Sequence, residues 1–224
     1  MKRYIFETEE EWLKARLGLF TSSQVNKLMA EPTAAERKAG EQLSKGAKTY
    51  IDECIVGLLA APETQYYNSE MQRGKDLEPQ AVFEFAKHLN KSVNDDDFIY
   101  TSVGGIVFFT DDDGIYGGTP DIIIGNKIAE IKCPKSITHL RYRRLRTVES
   151  FKDSCPEYYD QIQLNIHLTD AEGAWFISYD DRFKDESKHL FMLDIPKDEV
   201  RIKELIDKIE IASNYMSNLL EIEL

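Results

Sequence analysis

The sequence is poor in cysteine, has no basic excess and contains no long apolar run, and each shortage removes a class of protein. Its cysteines, Cys54, Cys133 and Cys155, are odd in number and show no CxxC spacing. That pattern excludes a disulfide framework and a cysteine zinc site, and predicts free thiols. No apolar stretch approaches the ~20 residues needed to span a bilayer. The first residues, MKRYIFETEEEW, lack the apolar centre of a signal peptide, so a cytoplasmic protein is expected. Low-complexity tracts, internal repeats and linker-like segments are also missing, which predicts one domain over residues 1–224. Finally, 40 acidic against 28 basic side chains give a formal charge of −12. A protein that held a polyanion by overall charge would be basic, so any such contact must rest on local clusters of cations.

What is present is a mixed pattern of helix and strand. Glu9 to Leu17 reads as a helix ending at Gly18, and Thr21 with Gln24 reads as a capping box opening a second helix through Met29. Lys48 to Ala60 reads as a helix stopped by Pro62. Gly74 to Leu89 reads as another, with Pro79 in its first turn. Strands are expected at Phe98 to Thr101, Ile106 to Thr110, Asp121 to Ile124, Lys127 to Lys132, Ala174 to Tyr179 and Leu190 to Leu193. A closing helix runs from about Lys197 to Leu220. The whole predicts an α/β domain with a central mixed β-sheet flanked by helices.

The stretch GGTPDIIIGNKIAEIKCPKS carries the chemistry. Gly125-Asn126 suits a two-residue hairpin turn, which fixes the register: Ile124 faces Lys127, Ile122 faces Ala129, and Asp121 faces Glu130. Facing Cβ atoms lie roughly 5 Å apart, so the two carboxylates repel unless a cation separates them. Alternation puts Lys132 on the same face. The residues alone allow either a salt bridge between Lys132 and Glu130 or an oxygen-ligand site for Mg²⁺ or Mn²⁺.

Two further segments are ambiguous in isolation. HLRYRRLRTVESFK, His139 to Lys152, concentrates cations; as one helix it would carry Arg141 and Arg144 together, on a solvated face or a phosphate-binding one. Gln161 to Leu168 alternates polar and apolar strictly, the period of a strand, whereas a helix would bring Gln161 and Asn165 together.

Ordered blocks along the chain resemble the phage lambda exonuclease type of nuclease, the YqaJ-like viral recombinases of the PD-(D/E)XK superfamily. They are Trp12-x-x-x-Arg16-Leu17-Gly18 with Thr21-x-Ser23, Gly74-Lys75-x-x-Glu78, Pro120-Asp121 through Glu130-Ile131-Lys132-Cys133-Pro134, Gln161-x-Gln163, and Ala174-Trp175 with Tyr179-Asp180-x-Arg182. The resemblance favours a helix at Gln161 and a restriction-endonuclease-like core. It implies a Mg²⁺-dependent enzyme, with Mn²⁺ as a substitute, that degrades one strand of linear double-stranded DNA from its 5′ end. The 3′ overhang would pass to a single-strand annealing protein. It further implies a homotrimeric ring, and a phage or prophage gene acting inside a bacterial host.

The same resemblance assigns roles. Asp121, Glu130 and the Ile131 carbonyl would hold one metal ion, with Asp111 helping to hold a second; which of Asp111, Asp112 and Asp113 does so stays open. Lys132 would hold or activate the attacking water, and Glu78 and Gln161 would stand beside the metals. Arg16, Ser23 and Thr119, the last in place of the family's serine, would bind the 5′ phosphate, with Arg141 and Arg144 on the DNA backbone. Met71 would be the apolar wedge that parts the terminal base pairs. Read without the resemblance, Thr21 and Ser23 are helix caps, Glu78 an acid at a helix start, and Met71 a packing residue. Two other functions fit the same residues: a metal-dependent endonuclease that also cuts closed circles, and a non-catalytic module that binds DNA ends.

Overall fold

A computed structural model describes residues 1–60 and 69–223. The chain runs β1 (Lys2–Phe6), α1 (Glu9–Ala15), β2 (Phe20–Thr21), a 3₁₀ helix (Val25–Met29), α2 (Ala34–Lys38), α3 (Lys45–Leu59) and α4 (Ser69–His88). Strands β3 (Phe98–Tyr100), β4 (Ile106–Thr110), β5 (Tyr116–Gly118), β6 (Ile122–Ile124) and β7 (Lys127–Lys132) follow. The rest is α5 (Ser136–Tyr142), α6 (Val148–Ser154), α7 (Pro156–Thr169), β8 (Gly173–Tyr179), β9 (Leu190–Pro196) and α8 (Glu199–Glu223).

The strands form two mixed sheets flanked by helices, ordered β1-β4-β5-β2 and β3-β6-β7-β8-β9. In the second sheet β7 pairs parallel with β8 and antiparallel with β6. Both faces are covered. Ile128 packs towards α6 and α7 with Phe151 and Ile162, while Ala129 and Ile131 pack towards α4 with Ala81 and Phe85. A strand buried on both sides has no solvent face, so a charged residue on β7 must be paired or functional.

The hairpin register is the expected one: Ile124 faces Lys127, Ile123 faces Ile128 and Ile122 faces Ala129. Gly125 has φ +55°, the positive φ wanted at the first position of a tight hairpin turn.

The helix at Gln161 also stands. Tyr159 to Ile166 and Leu168 are all buried, so α7 is enclosed on every side. An enclosed helix has no wet face to impose a helical period, which is why its polar residues could fall into alternation. Gln163 is satisfied internally, its amide donating to the Pro196 carbonyl and accepting from the Asp198 N–H, both at 2.9 Å, whereas the buried Asn165 amide has no hydrogen-bond partner among the described residues.

Other expectations are corrected. Thr21 opens no helix; it lies in β2, its N–H donates to the Tyr50 hydroxyl, and Gln24 makes no side-chain cap to the 3₁₀ helix that follows. Lys45 starts α3, capped by Ser44, and the expected stop at Pro62 lies outside the described residues. Because α4 begins at Ser69 rather than Gly74, Pro79 sits in its interior, and Met71 is helical rather than in a loop. The basic stretch is not one helix: α5 ends at Tyr142, and a Thr147–Ser150 capping box starts α6. Strands β1, β2 and β5 have no counterpart in the sequence reading. All three cysteines are free. Among the described residues no helix is long and apolar enough to cross a membrane.

Candidate active site

The site forms where the β6–β7 hairpin opens, at the end away from Gly125. Period-2 alternation turns Glu130 and Lys132 to the face covered by α7, and the backbone N–H of Asp121, just before β6, bonds the Ala129 carbonyl at 3.0 Å. The Asp121 carboxylate accepts the Ile131 N–H at 2.6 Å. The recorded contact of Ile131 is therefore through its N–H rather than the carbonyl expected to meet a metal.

Glu130 is 2% exposed. Its Oε1 accepts from the Lys132 ammonium at 2.6 Å and from the Gln161 amide at 2.5 Å. Its Oε2 is buried with no hydrogen-bond partner. Lys132 also lies 4.9 Å from the Tyr158 ring, a cation–π contact that holds the ammonium from a second side.

Glu78, from α4, faces the same space and accepts the Tyr100 hydroxyl at 2.9 Å. Burial, with Glu130 and Glu78 beside it, pushes the Asp121 carboxyl well above the ordinary carboxylate range. Burial raises Glu78 too, with Glu130 adding to it and Tyr100 opposing. Burial alone would lower the Lys132 pKa, but Glu130 and Asp121 reverse that and hold it above the usual lysine value. The structure thus gathers three acids competing for one cation.

A cavity of about 490 Å³ joins these groups to a second cluster: it is lined by Glu78, Asp121, Glu130, Lys132 and Gln161 at one end and by Arg16, Ser22, Ser23 and Thr119 at the other. Arg16 stacks on Trp12, its guanidinium carbon 4.2 Å from the ring centre, and donates to Ser23 Oγ at 3.4 Å. The Trp12 indole N–H donates to Thr119 Oγ1 at 3.2 Å. Among the described residues Arg16 has no carboxylate partner, although the chain carries 40 acids. Burial lowers its pKa, the mark of a half-buried cation in want of an anion.

Several expected members stand elsewhere. Asp111 spends its carboxylate on the N–H groups of Ile115 (2.7 Å), Tyr116 (3.0 Å) and Asp113 (3.3 Å), closing the turn before β5. It therefore lies at the opposite end of β5 from Asp121. Asp112 pairs with the N-terminal amine at 2.8 Å. Arg141 and Arg144 line a different depression with Tyr142 and Leu145, away from the cavity, because the chain turns between α5 and α6. Met71 lines a cavity that shares Trp12, Arg16 and Lys75 with the first. Conversely, Trp12, Ser22, Tyr100 and Tyr158 had no assigned part. Trp12 four residues before Arg16 on a helix was a readable stacking signal. Tyr100 reaches Glu78 through the β3–β6 pairing of Tyr100 with Ile122, which nothing local encodes.

With the geometry in place, comparison is informative. The YqaJ-like viral recombinase domain matches residues 11–172. The chain belongs to this family. Its fold is similar to the alkaline exonuclease LHK-Exo of Laribacter hongkongensis, at 28% identity, TM-score 0.74 and 95% coverage of each chain. The same enzyme in complex with dAMP matches at 27% identity and TM-score 0.71, again over 95% of each chain. A phage-related exonuclease from Haemophilus somnus is 18% identical with TM-score 0.68, covering 92% of this chain and 96% of that one, and shares the fold. No curated protein sequence matches. The restriction-endonuclease-like α/β arrangement expected of a YqaJ-like recombinase is therefore the fold of this chain.

The cavity also suits a divalent metal. Among the described residues no three His, Cys, Asp or Glu side chains are gathered closely enough to cage an ion alone. Mg²⁺ rarely asks for that; one or two carboxylates, with water and substrate phosphate, complete its shell. Asp121 and Glu130 supply two carboxylates, and the buried, unpartnered Glu130 Oε2 is an acceptor lacking its cation.

Proposed function

We propose that this protein is a Mg²⁺-dependent exonuclease that digests one strand of linear duplex DNA from its 5′ end. A DNA exonuclease is what its family and its similarity to alkaline exonucleases support. The observation that carries the finer reading is the shared cavity: a metal-type carboxylate centre and an arginine without an acid partner open into one space. Such a space takes a scissile phosphodiester at one end and a terminal phosphate at the other.

Asp121 and Glu130 would hold the ion, which when bound supplies charge that acidifies a water and offsets the leaving oxygen. Asp111 does not line the cavity and its carboxylate accepts three N–H groups, so Asp121 and Glu130 are the carboxylates the cavity offers to an ion. Lys132 lines the cavity with its ammonium 2.6 Å from Glu130 Oε1, which suits it to orient water and neutralise the phosphoryl oxygens. Gln161 fixes the orientation of Glu130. Arg16 would fork onto the 5′ phosphate, with the Ser23 and Thr119 hydroxyls beside it. The dAMP held by the Laribacter enzyme is a deoxynucleoside monophosphate, the product this polarity would release. By family likeness, a ring of three copies and an annealing protein that receives the 3′ strand complete the reading.

The test is digestion of a linear duplex labelled at the 5′ or the 3′ end of one strand, with a closed circle alongside. Early release of the 5′ label as mononucleotide, with the circle intact, is expected. A cut circle would replace the reading with an endonuclease, and no cleavage in Mg²⁺ or Mn²⁺ with a binding module.

A further inference from the structure

The segment Tyr179-Asp180-x-Arg182 takes no part in the cavity, yet it holds the most completely enclosed carboxylate outside it. Asp180, 0% exposed, follows the end of β8. Its Oδ1 accepts from Arg73 at 3.0 Å and from Arg182 Nε at 2.7 Å. Arg182 continues to the Pro134 carbonyl at 3.0 Å, two residues beyond Lys132. Arg73 lies on α4, five residues before Glu78. One buried carboxylate thereby ties the segment after Lys132 to the helix that carries Glu78.

This tie acts on the front of α4, ahead of the residues that the helix buries. The buried residues of α4 are Ala81, Val82, Phe85 and Ala86; before them Leu77 packs, half-buried, against the same cluster. Pro79 has no N–H to give to the Lys75 carbonyl, so the helical ladder is also broken between the two halves. Polar contacts on the front half include Arg73 to Asp180 at 3.0 Å and to Asp181 at 2.7 Å, Lys75 to Glu9 at 2.9 Å, Glu78 to Tyr100 at 2.9 Å, and Glu70 to Lys135 at 3.7 Å. The other four acids are partly or well exposed, and of these five carboxylates only Asp180 is fully enclosed, where an ion pair is least screened by water.

We propose that Asp180 is a positioning residue: through Arg73 and Arg182 it sets the front half of α4 against Lys132, and so fixes Glu78 relative to Asp121 and Glu130. The inference rests on the reading of that cavity as the catalytic centre. Reacting groups tolerate little displacement, so loosening this tie acts on turnover rather than on DNA affinity.

The test compares full-length Asp180→Asn and Arg73→Gln with Asp198→Ala and Asp121→Ala, all assayed on linear duplex in Mg²⁺ below every melting transition. Asp198 accepts from Lys152, Tyr159 and the Arg201 N–H, and none of these lines the cavity, so its loss reports destabilisation alone. Asp180→Asn and Arg73→Gln should each lower kcat by about tenfold or more with little change in KM. Asp198→Ala should melt earlier but keep its kcat. If Asp180→Asn does not fold, Arg73→Gln decides, since it leaves the Asp180–Arg182 pair in place. Wild-type kcat in the folded variants, or an equal fall in Asp198→Ala, overturns the positioning role. Retained cleavage by Asp121→Ala would instead overturn the assignment of the centre.

Discussion

Gln161 and Glu130 meet across the floor of the cavity, amide nitrogen to carboxylate oxygen at 2.5 Å, helix to strand. That contact, with Lys132 on the same oxygen, turns the other Glu130 oxygen inward without a partner. An acceptor stripped of water and held in one orientation is prepared for a cation.

Gln161→Ala should therefore weaken cleavage through metal binding. A loss of about 10- to 100-fold in activity at limiting Mg²⁺ is expected, recovering in part as Mg²⁺ is raised. A Mg²⁺ titration of the cleavage rate measures it; an unchanged midpoint would mean that the amide does not set the carboxylate.

Asp121→Asn should abolish cleavage and stabilise the metal-free protein. The folded-state pKa of Asp121 is raised by burial and by Glu130 and Glu78, so between its ordinary value of 3.8 and the raised one the folded state binds the extra proton. Stability then falls as pH rises through that window, and the asparagine removes the fall. The metal-free variant should melt several degrees higher than wild type at pH 8 and equally at about pH 3, below the window. Mg²⁺ at about 100 times its Kd should stabilise wild type by about 2.7 kcal/mol and the variant hardly at all. Scanning calorimetry at both pH values, with and without Mg²⁺, gives all four numbers, and a lower melting point for the variant at pH 8 counts against the charge argument.

Arg16→Ala should discriminate between DNA ends. A charged hydrogen bond is worth about 1.5–3 kcal/mol, so 5′-phosphorylated duplex should be cut roughly 10- to 100-fold more slowly, while 5′-hydroxyl duplex changes far less. Equal losses on both ends would move the phosphate pocket elsewhere.

Gly118→Ala should be destabilising for a reason that lies in α7. A Cβ there would collide with Asn165 Oδ1 and sit 2.5 Å from Ser22 Oγ. Asn165 is wholly buried and cannot swing aside, so a cost of about 1–3 kcal/mol is expected in urea unfolding. Asn165→Ala in the same chain should restore part of it; a double variant no better than the single would place the strain in Ser22.

What the sequence disclosed and what it hid divide along the reach of the interactions. The hairpin register, from Ile122 opposite Ala129 to Ile124 opposite Lys127, follows from Gly125 and period-2 alternation, both local. The helix at Gln161 was readable only through family likeness, since enclosure on all sides erased its period. Asp111 misled because an aspartate ahead of a turn serves the turn's N–H groups as readily as a metal. The basic stretch from His139 to Lys152 did not form one helix because the Thr147 capping box, also a local signal, starts a new one inside it. Strand β1 escaped notice because it is exposed along nearly its whole length and so carries no burial pattern, and its pairing partner lies beyond residue 100: Lys2 pairs with Thr110 and Phe6 with Ile106.

That long pairing orders events in time. The β6–β7 turn closes a loop of two residues, whereas β1 must find β4 across about a hundred, with a correspondingly larger entropy of closure. Trp12 and Arg16 are carried on α1, directly after β1. A chain emerging from the ribosome would thus complete its carboxylate centre and the end of the cavity that holds Arg16 only once the sheet strands near residue 110 and beyond have been made, and a nascent fragment would have nothing with which to cut DNA.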